Sequence, residues 1–324
     1  MREGSFIKKN IERWEKIEHR TATDADEIAK DFTQLIDDLA YAKTFYPAGK
    51  VTQYVNSLAS RIYLGIYQNR KEDTNRLVTF WKYDVPLTVR KHHVIILFAF
   101  CIFILFFSVG FFSSMHNEAF VREVLGDRYV DMTEKNIEEG NPFQVYGDSN
   151  PFFMWIRIMI NNIIVSFTYF FRGILLGIPS ITALGKESIR LGAFEHMFYA
   201  KNLGGQAVIT VLIHGMLELT AIIITCAAGL VMVKSFLFPG TIKRLASLQQ
   251  GVKDGAKIVV GLVPVFIIAA FFESFITRHY KMPLLASLPT LLVSSIFIIW
   301  YFIVYPIRLQ HKMAAIEDDS IINK

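Results

Sequence analysis

Residues 206–233 read QAVITVLIHGMLELTAIIITCAAGLVMV. The run is longer than the roughly 20 residues a helix needs to cross the hydrocarbon of a bilayer, and it is apolar except for His214 and Glu218. A carboxylate near the middle of a membrane is disfavoured by a few kcal/mol on insertion scales, so an acid that stays there is paired or used. A stretch of this length with one His and one Glu four residues apart predicts a membrane helix with a polar spot on one face.

Working outward, apolar runs of similar length occupy 94–112, 158–184, 258–276 and 284–305, giving five hydrophobic segments. The 324 residues are 52% hydrophobic and include 28 Phe, a composition outside the range of soluble domains. The reading is an all-α polytopic membrane protein preceded by a soluble helical bundle. None of the apolar runs is N-terminal, and no charged stretch followed by an apolar core opens the chain, so no cleavable signal peptide is expected. Cys101 and Cys226 both fall inside apolar runs, where the thiol acts as a small buried hydrophobe, and neither a disulfide framework nor a thiolate zinc site is expected. The formal charge of +5 is spread along the chain and suits loops facing anionic headgroups, not a nucleic-acid groove. Walker, dinucleotide-binding and Gly-x-Ser-x-Gly patterns are absent, and no catalytic residue and no cofactor is expected.

The segment 1–93 is expected to be a cytoplasmic helical domain. Ile7, Ile11, Trp14 and Ile17 recur at three- and four-residue spacing, as do Ile28, Phe32, Leu35 and Leu39, and then Val51, Val55, Leu58, Ile62 and Ile66. Thr23 or Asp24 suits the N-cap of the second helix, and Pro47-Ala-Gly49 breaks the chain before the third. A fourth segment, 75–85, sets Leu77, Phe80 and Trp81 beside Arg76 and Lys82, as either a bundle helix or a headgroup-level anchor. The expected organisation continues with a first membrane helix over 94–112, an acidic extracytoplasmic loop over 113–150, a membrane bundle over 151–305 and a polar tail over 306–324.

Basic residues are retained on the cytoplasmic side, so Arg90 and Lys91 place the N-terminus inside. The loop 113–150, in which Glu118, Glu123, Asp127, Asp131, Glu134, Glu138, Glu139 and Asp148 outnumber the basic residues, is then outside. Counting on, a full crossing by 206–233 would put Lys234, Lys243, Arg244, Lys253, Lys257, Arg308 and Lys312 outside. Either the basic-residue rule fails twice, or 206–233 is re-entrant, with His214-Gly215 or Cys226–Gly229 as its break.

Glu273, near the end of FIIAAFFESFIT, and Asn161 and Asn162 on the second run join His214 and Glu218 as candidates for an intramembrane polar cluster. Gly173 and Gly177 at small-xxx-small spacing, with Gly215 and Gly229, are candidates for close helix packing. His214 and Glu218 could supply two ligands to a metal ion, with Glu273 as a third, but the His-Glu-x-x-His pattern of helical zinc proteases is missing, and metal binding stays open. The other readings are a proton or ion path titrating on Glu218 and Glu273, and a satisfied polar cluster that fixes helix register.

The opening Met-Arg-Glu with Arg13-Trp14, the Asp38-Leu-Ala-Tyr-Ala-Lys-Thr-Phe-Tyr-Pro47 string, Asn56-Ser-Leu-Ala59 and Tyr67 carry a resemblance along almost the whole chain. It continues through His214-Gly-x-x-Glu218 with Ala221 and Gly229, Pro239-Gly240, and Ala269-Ala-Phe-Phe-Glu273-Ser-Phe-Ile-Thr277. The chain resembles the stage II sporulation protein M family. The resemblance implies a multi-pass protein of the bacterial cytoplasmic (inner) membrane with its N-terminus inside, acting as a non-enzymatic scaffold. In spore formers such a scaffold holds two peptidoglycan hydrolases during septal wall thinning and engulfment. In other bacteria and archaea the implied partners are MoxR-type ATPases and RDD-domain membrane proteins. The long N-terminal helical domain is similar to that of these broader members. An ion- or proton-coupled transporter or channel component using the intramembrane His and Glu residues is the alternative.

Overall fold

The structure, a computed structural model, describes residues 2–19, 25–68, 76–143, 150–277 and 284–322, and among them there is no strand. The Thr23 or Asp24 cap and Asp148 lie outside the described residues. The chain divides into two compact units, Met1–Arg76 and Leu77–Lys324.

The first unit holds helices α1 (Glu3–His19), α2 (Ala25–Phe45) and α3 (Lys50–Gln68). The apolar stripes meet in one core in which Trp14, Leu35, Ala42 and Val55 are fully buried. Each large side chain removed from water in this way contributes roughly 1.5–3 kcal/mol. Phe6, which is off the expected stripe, joins this core through a stacked contact with Tyr41 at 5.0 Å. Polar ties fix the register: the Trp14 indole donates to Asp38 at 2.9 Å, Arg13 pairs with the same carboxylate, and the Tyr54 hydroxyl donates to Glu18 at 2.6 Å.

The second unit begins with the short α4 (Arg76–Thr79), a π-helical turn over Phe80–Asp84 and α5 (Val85–Lys91). This stretch is built into the membrane unit. The Trp81 indole donates to the carbonyl of Gly261 at 3.1 Å, and the hydroxyls of Tyr301 and Tyr305 donate to the carbonyls of Trp81 and Lys82, both at 2.8 Å. Val85 fills the notch left by Gly261, where an added Cβ would stand 2.7 Å from its methyls. The boundary between units thus falls before Leu77 and not at His93, because residues 77–92 find their partners on later helices.

The remaining helices are α6 (His93–His116), α7 (Glu118–Leu125), α8 (Asp127–Glu138), α9 (Pro151–Arg172), α10 (Ile178–Ala200), α11 (Gly204–Leu237), α12 (Arg244–Phe275), α13 (Leu284–Ile299) and α14 (Tyr305–Ile322), the last two joined through a π-helical turn at Trp300–Val304. Among the described residues, five helices are long and apolar enough to cross a membrane: α6, α9, α11, α12 and the final one over Leu288–Ala315. Of these, α11 and α12 are the most buried and form the centre, and the other three are largely exposed, as lipid-facing helices should be.

Two expectations are corrected here. The run 158–184 is not one span: α9 ends at Arg172, a turn follows, and α10 starts after Gly177, whose φ of +74° suits glycine. Nor is 206–233 re-entrant, since α11 continues without a break through both His214-Gly215 and Cys226–Gly229.

The reversal comes from α10. Its start lies against Leu230 and Val233 near the far end of α11, and its end turns directly into the start of α11, with Tyr199 against Gly204. It therefore runs antiparallel to both α9 and α11, although Lys186, Glu187, Arg190 and Glu195 keep it out of the apolar set. Glycine permits the fit: the Gly110 backbone meets Ile189, and Gly192 meets the backbone of Phe107 and Phe111. With this additional pass, α6 and α14 meet again at one end of the unit. There Arg90 donates to Gln310 at 2.7 Å, His93 Nε2 bonds the Phe302 carbonyl at 2.9 Å, and Lys91 and His92 reach Asp254 at 2.7 and 2.9 Å. The basic residues that conflicted with five crossings thus gather at the His93 end.

At the opposite end, α7 and α8 pack down on the bundle. Asn117 caps α7 by accepting from the Ala119 amide at 2.9 Å, and Arg122 bridges Asp131 at 2.6 Å and Glu134 at 3.2 Å, which raises its already high pKa. Val121, Val130 and Phe143 bury against Met197, Phe198 and Ala207.

Candidate functional site

Two helices and the residue just beyond one of them build the polar centre. On α11, His214 and Glu218 are one turn apart on a shared face. The last turn of α12 brings Glu273 to them, so that one donor atom from each of the three residues lies within 4.8 Å of the others. Thr277, just past the end of α12, bonds His214 Nδ1 through its Oγ1 at 3.0 Å. That bond fixes the ring and leaves Nε2 as the nitrogen available to a ligand.

The second run contributes unequally. Asn162 is buried and stands beside Glu218, with its Nδ2 making no hydrogen bond of good geometry. Asn161 is exposed on the outer side of α9 and reaches back only to the Asn162 Oδ1, at 3.4 Å. One turn further along, Ser166 bonds Thr225 at 3.0 Å and ties α9 to α11 below the cluster.

The cluster borders a cavity of about 340 Å³. His214, Glu218 and Thr277 form its polar wall, Glu187 and Arg190 of α10 form a charged side, and Tyr129 and Phe143 approach from the α7–α8 end. Glu187 and Arg190 pair with each other at 3.2 Å. Glu218 therefore has the carboxylates of both Glu187 and Glu273 within electrostatic reach.

The four glycines take different roles. Gly173 lies against the backbone of Gly229, and Gly177 lies against Leu230 and Val233, so both belong to the α9–α10 turn where it meets α11. Gly215 lies nearest to Val211 and Leu219 of its own helix and lines the cavity. Close packing is also carried by Gly110 and Gly192 between α6 and α10, and by Gly251 and Gly255, which do stand at small-xxx-small spacing and meet Ser235 and Phe170.

Sequence pattern does not mark Thr277, Glu187 or Arg190 as site residues. Glu187 and Arg190 are legible only as an i, i+3 charge pair on a helix too polar to count as a span. Nothing local links Thr277 to His214.

A family model described as stage II sporulation protein M matches residues 94–278, more than half of the chain. A second family model, described as a domain of unknown function (DUF8413), matches residues 4–68. No curated protein and no solved structure matches the chain. The first match contains every residue of the polar cluster and ends one residue past Thr277. The second coincides with the three helices of the N-terminal unit.

Proposed function

Because the chain belongs to the stage II sporulation protein M family, we propose that this multi-pass membrane protein is a non-enzymatic scaffold that organises a complex in the bacterial cytoplasmic membrane. The observation that carries the reading is the separate compact unit of three helices ahead of the membrane unit. It has its own core and its own family, as a docking module attached to an anchor would. The His93 end is cytoplasmic, because Arg90, Lys91, Lys234, Lys243, Arg244, Arg308 and Lys312 gather towards it, and the N-terminus is on that side. The α7–α8 hairpin is then the extracytoplasmic face, available to envelope partners.

On this reading the partners are membrane or envelope proteins. They are peptidoglycan hydrolases where the host makes spores, and a MoxR-type ATPase or an RDD-domain protein elsewhere. The cut that tests the idea lies between Arg76 and Leu77, since removing residues 77–92 would damage the membrane unit itself. Affinity purification of the full chain and of a chain lacking residues 1–76, with both in the membrane at equal level, should show cytoplasmic partners lost from the shorter chain. An identical set of co-purified proteins would remove the docking role. Glu218→Gln should leave the complex intact. A variant that assembles normally yet abolishes cellular function would replace the scaffold with an ion-coupled path.

A further inference from the structure

We propose that His214, Glu218 and Glu273 bind one divalent transition-metal ion of the zinc type, with an open coordination position facing the cavity. This goes beyond the scaffold reading and does not depend on it. Donor atoms that lie within 4.8 Å of one another need only small side-chain rotations to close on an ion, since donors about 2.0–2.1 Å from a tetrahedral metal stand about 3.4 Å apart. The helical step from His214 to Glu218 supplies two ligands from one rigid element, and α12 supplies the third.

Three further observations point to a ligand. His214 is held by Thr277 through Nδ1, the kind of second contact that orients a metal-binding imidazole. Asn162 is 7% exposed and lies beside Glu218, its amide nitrogen making no hydrogen bond of good geometry yet placed to hold the carboxylate oxygen that a metal leaves free. The cavity of about 340 Å³ reaches His214 and Glu218, so water and an incoming ion have a route and a fourth ligand has room.

The chemistry selects the ion. One imidazole with two carboxylates is a nitrogen and oxygen set, which suits zinc, manganese or ferrous iron better than magnesium or calcium, and no thiol takes part. Cys226 instead packs against the Ser180 carbonyl at 3.5 Å. Two carboxylates and a divalent ion sum to zero charge, which is how paired acids persist at low dielectric. Among metals presented at equal concentration, zinc should bind more tightly than manganese.

The test uses the full chain purified in detergent, stripped with chelator and reloaded with zinc or manganese chloride. Elemental analysis after gel filtration should find about one zinc per chain, and His214→Ala, Glu218→Gln and Glu273→Gln should each weaken uptake at least about tenfold. Asn161→Ala, on the exposed face, should bind as the parent does. Cobalt loading gives a spectroscopic readout: the visible absorption of a four-coordinate site should appear in the parent chain and be lost in those of the three variants that remain monodisperse. If those variants do not fold, X-ray absorption on the zinc-loaded parent decides, expecting a first shell of nitrogen and oxygen with one imidazole. A monodisperse parent chain that takes up no metal overturns the proposal, as does a first shell containing sulfur or uptake unchanged in the folded variants.

Discussion

A Cβ atom added to Gly173 would stand 2.5 Å from the carbonyl oxygen of Gly229 and 2.7 Å from its Cα, so α9 ends backbone to backbone on α11. The contact extends along α9, whose Tyr169 and Phe170 carbonyls also lie against Gly229, and Ser180 of α10 closes on it from the other side. Gly173→Leu should destabilise the membrane unit by about 1–3 kcal/mol, as overpacking of a close contact does. Gly205→Ala, where nothing lies within 4 Å, should be neutral or slightly stabilising. Thermal unfolding of the two variants in the same detergent, set beside the parent chain, measures the difference.

Asp254 is buried and accepts from Lys91, His92 and Gln250, at 2.7, 2.9 and 2.8 Å, tying α5 and the start of α6 to α12. Asp254→Ala should cost about 1–3 kcal/mol, because it strands the buried His92, while Lys91 and Gln250, both exposed, return to water. His92→Gln, which retains a polar side chain able to donate, should cost less. Equilibrium unfolding of both variants should rank them in that order.

Burial and the Glu18 carboxylate push the Tyr54 phenol up to about 12 from 10.0. The folded N-terminal unit therefore favours the protonated form. Its contribution is fully present below pH 10 and is lost as pH rises from 10 towards 12, where the unfolded chain ionises first. Tyr54→Phe should remove this alkaline sensitivity while costing about 1 kcal/mol near neutral pH for the lost bond to Glu18. Trp14, whose ring lies 6.0 Å from that of Tyr54, is the local reporter: the fluorine resonance of a fluorotryptophan there should show unfolding that steepens above pH 10 more in the parent than in the variant, which keeps the Tyr46 phenol, also raised by burial.

The path of α10 makes a prediction about sidedness. Cysteines placed at Lys243 and Lys312, both exposed, should react with an impermeant thiol reagent only from the cytoplasmic side, and one at Glu138 only from outside. Labelling of Lys312→Cys from outside would mean that the chain crosses an odd number of times.

Most of the bilayer-facing architecture was legible because hydrophobic length is a local property: the runs at 94–112, 206–233, 258–276 and 284–305 each became a helix that can cross. What failed was local in appearance and tertiary in cause. Ile174, Leu175 and Leu176 form the turn between α9 and α10 and remain exposed, so hydropathy runs through a break without registering it. Gly173 and Gly177 have the spacing of a helix face, yet they flank that turn. The polar cluster was half visible, since i, i+4 spacing joins His214 to Glu218 on any helix. The separation of 63 residues between His214 and Thr277 encodes nothing until α12 has packed. Asn161 and Asn162 could not be told apart, because which of two neighbours faces inward depends on the rotation of α9 about its own axis.

The charges on α10 set the order in which the chain can be built. Lys186, Glu187 and Arg190 lie close together along this helix, and each charge at the centre of a lone helix costs about 2.5–3.5 kcal/mol on insertion scales. As a solitary segment leaving the ribosome, α10 would be rejected by the translocon. It can enter the bilayer only against surfaces already there, namely the Gly110 groove of α6 and the α9 hairpin arm from which it turns. Insertion should therefore depend on order, with α6 and α9 in place before α10 can pack, and a lesion in that groove should act as an insertion defect before it acts on any finished protein.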